Sequence, residues 1–172
     1  MQTTRLKIFI FLLMLGALFF TVVPLQLNFP VTDLDPSWRF AMIWAQSHDY
    51  IFGRDIVFTY GPYSSLFSGY YTPSSDFFTL VAGGWLYICC AFLFVFLHNG
   101  RNGNAILASI LLLCLSAWMR DSLFFGYVLL YLLCIYHLVG REKTKLDLIG
   151  LSFITSGCAL IMLIKGSYTS AV

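Results

Sequence analysis

Five stretches of this chain, residues 8–27, 77–97, 102–119, 122–139 and 148–164, contain no Asp, Glu, Lys or Arg. A helix rises 1.5 Å per residue and the hydrocarbon core of a bilayer is about 30 Å thick, so roughly twenty apolar residues cross it. In lipid every backbone polar group must be satisfied within the protein, which leaves helices as the structure for isolated runs of this length. The expected fold is an all-α integral membrane protein, a single domain over residues 1–172 with about five transmembrane helices. Ala105–Met119 alone would reach only about 22 Å, so the third helix is extended back to residue 102.

Composition agrees. Of the 172 residues, 59% are hydrophobic and 10% charged, against roughly a quarter charged in soluble domains. A net charge of +2, with no basic run longer than residues 141–145, gives no footprint for nucleic acid. The cysteines (Cys89, Cys90, Cys114, Cys134, Cys158) all fall in apolar runs and none has zinc spacing to a histidine. They are read as small packing residues, and no metal or cofactor is expected. His48, His98 and His137 stand alone at the edges of apolar segments and are read as satisfied polar side chains.

The distribution of Lys and Arg sets an orientation. Arg5, Lys7, Arg101, Arg141, Lys143 and Lys145 fall on one side, and Arg39, Arg54, Arg120 and Lys165 on the other. The first set is compact and close to span ends. The expectation is a multi-pass protein of the cell inner (plasma) membrane with its N-terminus cytoplasmic. The first run is too long for a signal-peptide core and lacks a small-residue cleavage site, so it is kept as a span.

Residues 28–76 then form a long extracytoplasmic loop holding most of the acids: Asp33, Asp35, Asp49, Asp55 and Asp76. Asp35-Pro36 predicts a helix start, with Asp35 as N-cap and Pro36 first in the helix, which runs to about Ser47. Too short to cross and rich in tryptophan, that helix should lie in the membrane interface. Gly53 permits a turn, residues 56–60 are extended in character, and Gly61-Pro62 turns again. Tyr60, Tyr63, Tyr70 and Tyr71 follow among small residues.

Candidate chemistry gathers in this loop and at two span ends. Asp33 and Asp35 either cap and solvate, or act as general base beside a membrane-bound substrate. Arg54-Asp55 is a surface pair or a phosphate contact. Arg120-Asp121, between two apolar runs, either tips a hairpin into water or marks a site. Lys165 either snorkels to the interface or meets a phosphate. Under the orientation above all these charges share the outer face. They are expected to converge on one cavity lined partly by Tyr60 and Tyr63.

A charged N-terminus, one span, then an outer loop with an acid at the start of an interfacial helix resembles the opening of C-type (GT-C) membrane glycosyltransferases. Asp33-Leu-Asp35-Pro-Ser-Trp38 stands where those enzymes carry their first acidic motif. Gly53-Arg-Asp-Ile-Val-Phe-Thr-Tyr-Gly-Pro62 is similar to the Gly…Asp…Pro segment of members dependent on dolichyl- or polyprenyl-phosphate sugars. Arg120-Asp121 falls where a second acidic site often lies. The resemblance spans residues 5–121. It implies transfer of a sugar from a polyprenyl-phosphate donor at the outer face, with Asp33 and Asp35 catalytic and Arg54, Asp55, Tyr60, Tyr63, Arg120 and Asp121 binding substrate. Membrane lipid, a lipid-linked sugar donor and other membrane subunits are the implied partners. Two features depart from the family: Leu34 separates the acids, and family members have many more spans. An N-terminal module or fragment is therefore expected. Two other classes remain open, a non-catalytic membrane assembly partner and a small transport component. Transport predicts broken spans, and here Pro24 is the only proline inside a run, with Gly83-Gly84 and Gly157 suited to close helix packing.

Overall fold

The computed structural model describes residues 2–25, 33–68, 76–99, 120–138 and 144–165. Among them the chain is all-helical: α1 (Gln2–Val22), α2 (Leu34–Ser47), α3 (Ser65–Ser68), α4 (Asp76–Asn99), α5 (Arg120–Leu138) and α6 (Lys145–Ile164). Two segments, Phe77–Phe96 of α4 and Asp147–Ile164 of α6, are long and apolar enough to cross a membrane. The apolar parts of α1 and α5, Ile8–Val22 and Asp121–Tyr136, are shorter. The expected span over residues 102–119 lies outside the described residues.

Helix ends follow local chemistry. Thr144 caps α6 in a reciprocal box, its hydroxyl accepting from the Asp147 N–H while the Asp147 carboxylate accepts from the Thr144 N–H. Helix α1 stops at Val22, five residues before the expected end of the first span, and Pro24 therefore lies beyond the helix rather than inside it. Its missing N–H and fixed φ cannot extend a helix. Helix α2 starts two residues earlier than expected. Asp33, not Asp35, is the N-cap residue, and it makes no side-chain cap hydrogen bond. Pro36 occupies the first helical turn, where its lack of an N–H costs nothing. Arg120 and Asp121 open α5 rather than forming a separate tip.

α4 is the centre of the bundle, antiparallel to α1 and α6. Phe19 meets Tyr87 edge-on at 5.2 Å between ring centres, and Val23-Pro24 passes against Gly83. Toward α6, Trp85 donates to Ser156 at 3.1 Å, Phe92 stacks on Phe153 at 4.9 Å, and Phe96 touches Gly150. Gly157 is where α4, α5 and α6 come together. A Cβ there would lie 2.8 Å from Tyr127 Cζ and 2.9 Å from Cys89 Cβ, so only glycine lets three helices approach this closely. Tyr127, fully buried, donates from Oη to the Ile154 carbonyl at 2.7 Å.

The core is built from Leu18 and Val22, Leu86, Cys89 and Leu93, Phe124 and Val128, and Ile154 and Ile161. The outward faces of the same helices are also apolar, with Phe9, Phe20, Val81, Ile88, Leu129 and Ile149 exposed. Contiguous apolar surface on this scale marks a surface made for another apolar phase or partner.

Candidate functional site

The first loop is seated on the end of α6. The last carbonyls of a helix have no partner within it. Here the Gly61 N–H donates to the Ile164 carbonyl at 2.9 Å and the Tyr63 N–H to the Leu163 carbonyl at 3.4 Å. Tyr60 pairs antiparallel with Lys165, the extended C-cap residue of α6. A side chain at position 61 would run into the Leu163 carbonyl oxygen, so the close approach requires glycine. Short α3 follows directly, its four residues all buried.

This seating brings three charged elements together. Lys165 Nζ donates to Asp121 Oδ1 at 2.7 Å, with Lys165 mostly covered and Asp121 half-exposed. Each charge stands at the helix end it complements. Asp121 is in the first turn of α5, where N–H groups point outward, and Lys165 caps the carbonyl end of α6. Because the two helices run in opposite directions, these ends are neighbours.

Aromatic rings surround the pair. Lys165 Nζ lies 4.8 Å from the centre of the Tyr60 ring and 5.7 Å from that of Phe67. A second cation shares the Phe67 ring: Arg39 Cζ sits 5.4 Å from its centre and 5.3 Å from that of Trp38. Trp38 packs on Tyr60 at 4.7 Å and on Phe58 at 5.4 Å, and Phe67 meets Phe124 of α5 at 6.0 Å. Such cation–ring contacts contribute about 0.5–2 kcal/mol each, more where water is excluded. Arg39 Nε, like the Ser64 and Ser65 hydroxyls, is buried with no hydrogen-bond partner among the described residues.

These surroundings set protonation. Burial, the largest influence, raises the Tyr60 phenol above its ordinary value. Asp121 adds to the rise, and together they outweigh the opposing pulls of Lys165 and Arg39. For Lys165, burial alone would lower the ammonium, but hydrogen bonds to Asp121 and Tyr60 more than compensate and the net shift is upward. At neutral pH the site therefore holds a neutral phenol and a charged ammonium.

No family model matches this chain, and neither a curated protein nor a solved structure does.

Of the residues singled out in the sequence, Tyr60 and Asp121 meet around Lys165. Arg54 and Asp55 turn toward each other instead. Arg54 donates to both Asp55 oxygens at 2.9 and 3.0 Å, and the Ile51 N–H donates to Asp55 Oδ2 at 2.9 Å. The Arg54 guanidinium, then the Ile51 N–H, hold the exposed Asp55 carboxyl below its usual value. The pair closes the turn at Gly53, whose φ of 89° suits glycine. Tyr63 packs against Phe78 of α4 at 4.9 Å. Asp33 is exposed at the start of α2. The side chains of Asp35 and Arg120 lie outside the described residues.

Sequence reasoning missed Arg39, Phe67 and Trp38 as site residues and favoured snorkelling for Lys165. One signal was available: an acid opens one apolar helix and a lysine closes the next, so an antiparallel pair must juxtapose them.

Proposed function

We propose that this chain is a multi-pass membrane protein with five spans and a cytoplasmic N-terminus, acting as a GT-C-like glycosyltransferase module on a polyprenyl-phosphate sugar. The observation that carries the reading is the meeting of Tyr60, Asp121 and Lys165 at one end of an apolar bundle, with Arg39 beside them. Ionisable residues at membrane depth mark functional sites more often than chance, and here they gather rather than scatter. α4 ends and α5 begins at opposite ends of the bundle, the arrangement that a further crossing between them requires. Asp33 supports an acid-base role because its carboxylate performs no capping. It opens α2, the helix that carries Arg39 six residues further on.

In that reaction the acceptor hydroxyl attacks the anomeric carbon and the bond from that carbon to the phosphate oxygen breaks. The electron pair leaves with the polyprenyl phosphate, and the acceptor proton passes to Asp33 or Asp35. The cations stabilise the departing phosphate.

The test is release of radiolabelled sugar from polyprenyl-phosphate hexose, N-acetylhexosamine and pentose by the chain in lipid nanodiscs. Release that falls at least a hundredfold in the Asp33→Asn, Asp35→Asn double variant supports the reading. Retention of label on all three donors refutes it.

A further inference from the structure

The Phe67 ring is shared by two cations, Arg39 and Lys165, yet the described residues offer them one carboxylate, Asp121. Two positive groups that share one buried ring call for anionic compensation, because a medium poor in water screens charge poorly. Lys165 has its ion pair, whereas Arg39 Nε is buried without a hydrogen-bond partner. The guanidinium is a planar fork suited to oxyanions. The neutral Tyr60 hydroxyl adds a donor: its ring lies 4.8 Å from Lys165 Nζ and packs on Trp38, the ring that Arg39 covers. The one anion present is also the most accessible member. The Asp121 side chain is 49% exposed, against 19% for Lys165. The carboxylate is therefore the member of the pair that an incoming anion meets first.

We propose that Arg39, Tyr60 and Lys165 form a phosphate-binding site in which the Asp121 carboxylate is a resident counter-anion that an incoming phosphate displaces. Two or three phosphate oxygens reproduce what the carboxylate gives Lys165 and supply Arg39 with the acceptor it lacks. Trp38, which Arg39 covers, and the exposed Phe58 tilted against it would flank whatever the phosphate carries. Binding of this kind does not depend on sugar transfer. A lipid headgroup and free phosphate share the required chemistry.

The experiment uses the full chain in phosphatidylcholine nanodiscs, with binding read by native mass spectrometry and calorimetry. The probes are undecaprenyl phosphate, undecaprenol and inorganic phosphate. Lipid phosphate binding at least tenfold tighter than the alcohol identifies a headgroup site. Inorganic phosphate binding as tightly as the lipid identifies a soluble anion, and either result supports the proposal. Read well below each variant's own melting temperature, Arg39→Gln should lose tenfold or more, and Asp121→Asn should gain severalfold because the competing carboxylate is gone. Equal binding of alcohol and phosphate, with no inorganic phosphate bound, overturns the proposal, as does an Arg39→Gln variant of parental affinity. Weaker binding by Asp121→Asn overturns the displacement. Phosphate binding without sugar release leaves the site standing while the transferase reading falls.

Discussion

Gly61→Ala tests the seating on which the whole site depends. Gly61 does not adopt the left-handed conformation, so alanine meets no backbone strain of its own there. The obstacle is the Leu163 carbonyl, whose oxygen the new methyl would overlap and whose carbon would lie 3.1 Å away. That oxygen belongs to the last turn of α6 and cannot rotate aside, so the loop must lift. Lifting breaks the Gly61–Ile164 and Tyr63–Leu163 hydrogen bonds, worth about 1 kcal/mol each. The Lys165–Tyr60 contact adds about 0.5–1 kcal/mol, and partial re-exposure of Tyr60 about 1 kcal/mol more. Alanine returns about 0.4–1 kcal/mol by restricting the unfolded chain. A net loss of roughly 2.5–3.5 kcal/mol remains, lowering the melting temperature by roughly 5–14 °C for a chain of this size.

The assay is thermal unfolding in nanodiscs together with amide hydrogen exchange, in which protection at positions 61 and 63 should collapse while that of α4 is kept. Gly84→Ala is the control, because a Cβ there meets nothing within 4 Å. A Gly61→Ala protein melting within about 1 °C of the parent, with both loop amides still protected, would refute the reasoning.

Three further outcomes follow from separate features. Gly157→Ala, forced against Tyr127 and Cys89, should cost about 1–3 kcal/mol, while Gly84→Ala should be neutral or stabilising by up to about 1 kcal/mol; equal melting of the two would sink the three-helix crossing. Asp55 should titrate below the ordinary carboxylate range by carbon-detected NMR, and Arg54→Ala should move it back up; the turn's contribution is then complete above the ordinary carboxylate value and is lost as pH falls through the lowered one. For topology, cysteines placed at exposed Thr59 and Thr144 should label from outside the cell and only after permeabilisation, respectively, and the reverse pattern would end the proposed orientation.

Helix identity was largely legible because it depends on local features. Uncharged runs and their lengths anticipated α4, α5 and α6 to within a few residues, and Gly157 was recognisable as a packing glycine. The α2 start was misread by two residues because Asp33 and Asp35 are both good N-caps and Pro36 is tolerated throughout the first turn. α3 left no signal. Four residues are too short for periodicity, and Ser65-Leu-Phe-Ser68 is helical because it is wedged among α2, α4 and α6 rather than by propensity.

The site was less legible because its residues are distant in sequence and their pairing depends on tertiary seating. Arg54-Asp55 drew attention as adjacent opposite charges, and adjacency in a turn is what lets the two pair with each other locally. Lys165 and Asp121 are 44 residues apart, and nothing near either one shows the other. For a lysine ending an apolar helix, snorkelling into water and pairing with a carboxylate differ by little energy. The choice is made by what covers it. Here the cover is the Tyr60 ring, held over Lys165 because Gly61 can lie against the Leu163 carbonyl. With the ammonium mostly covered by rings, water compensates its charge less well and an anionic partner gains weight. A glycine one hundred residues upstream of the helix end thus turns an interfacial lysine into a site residue.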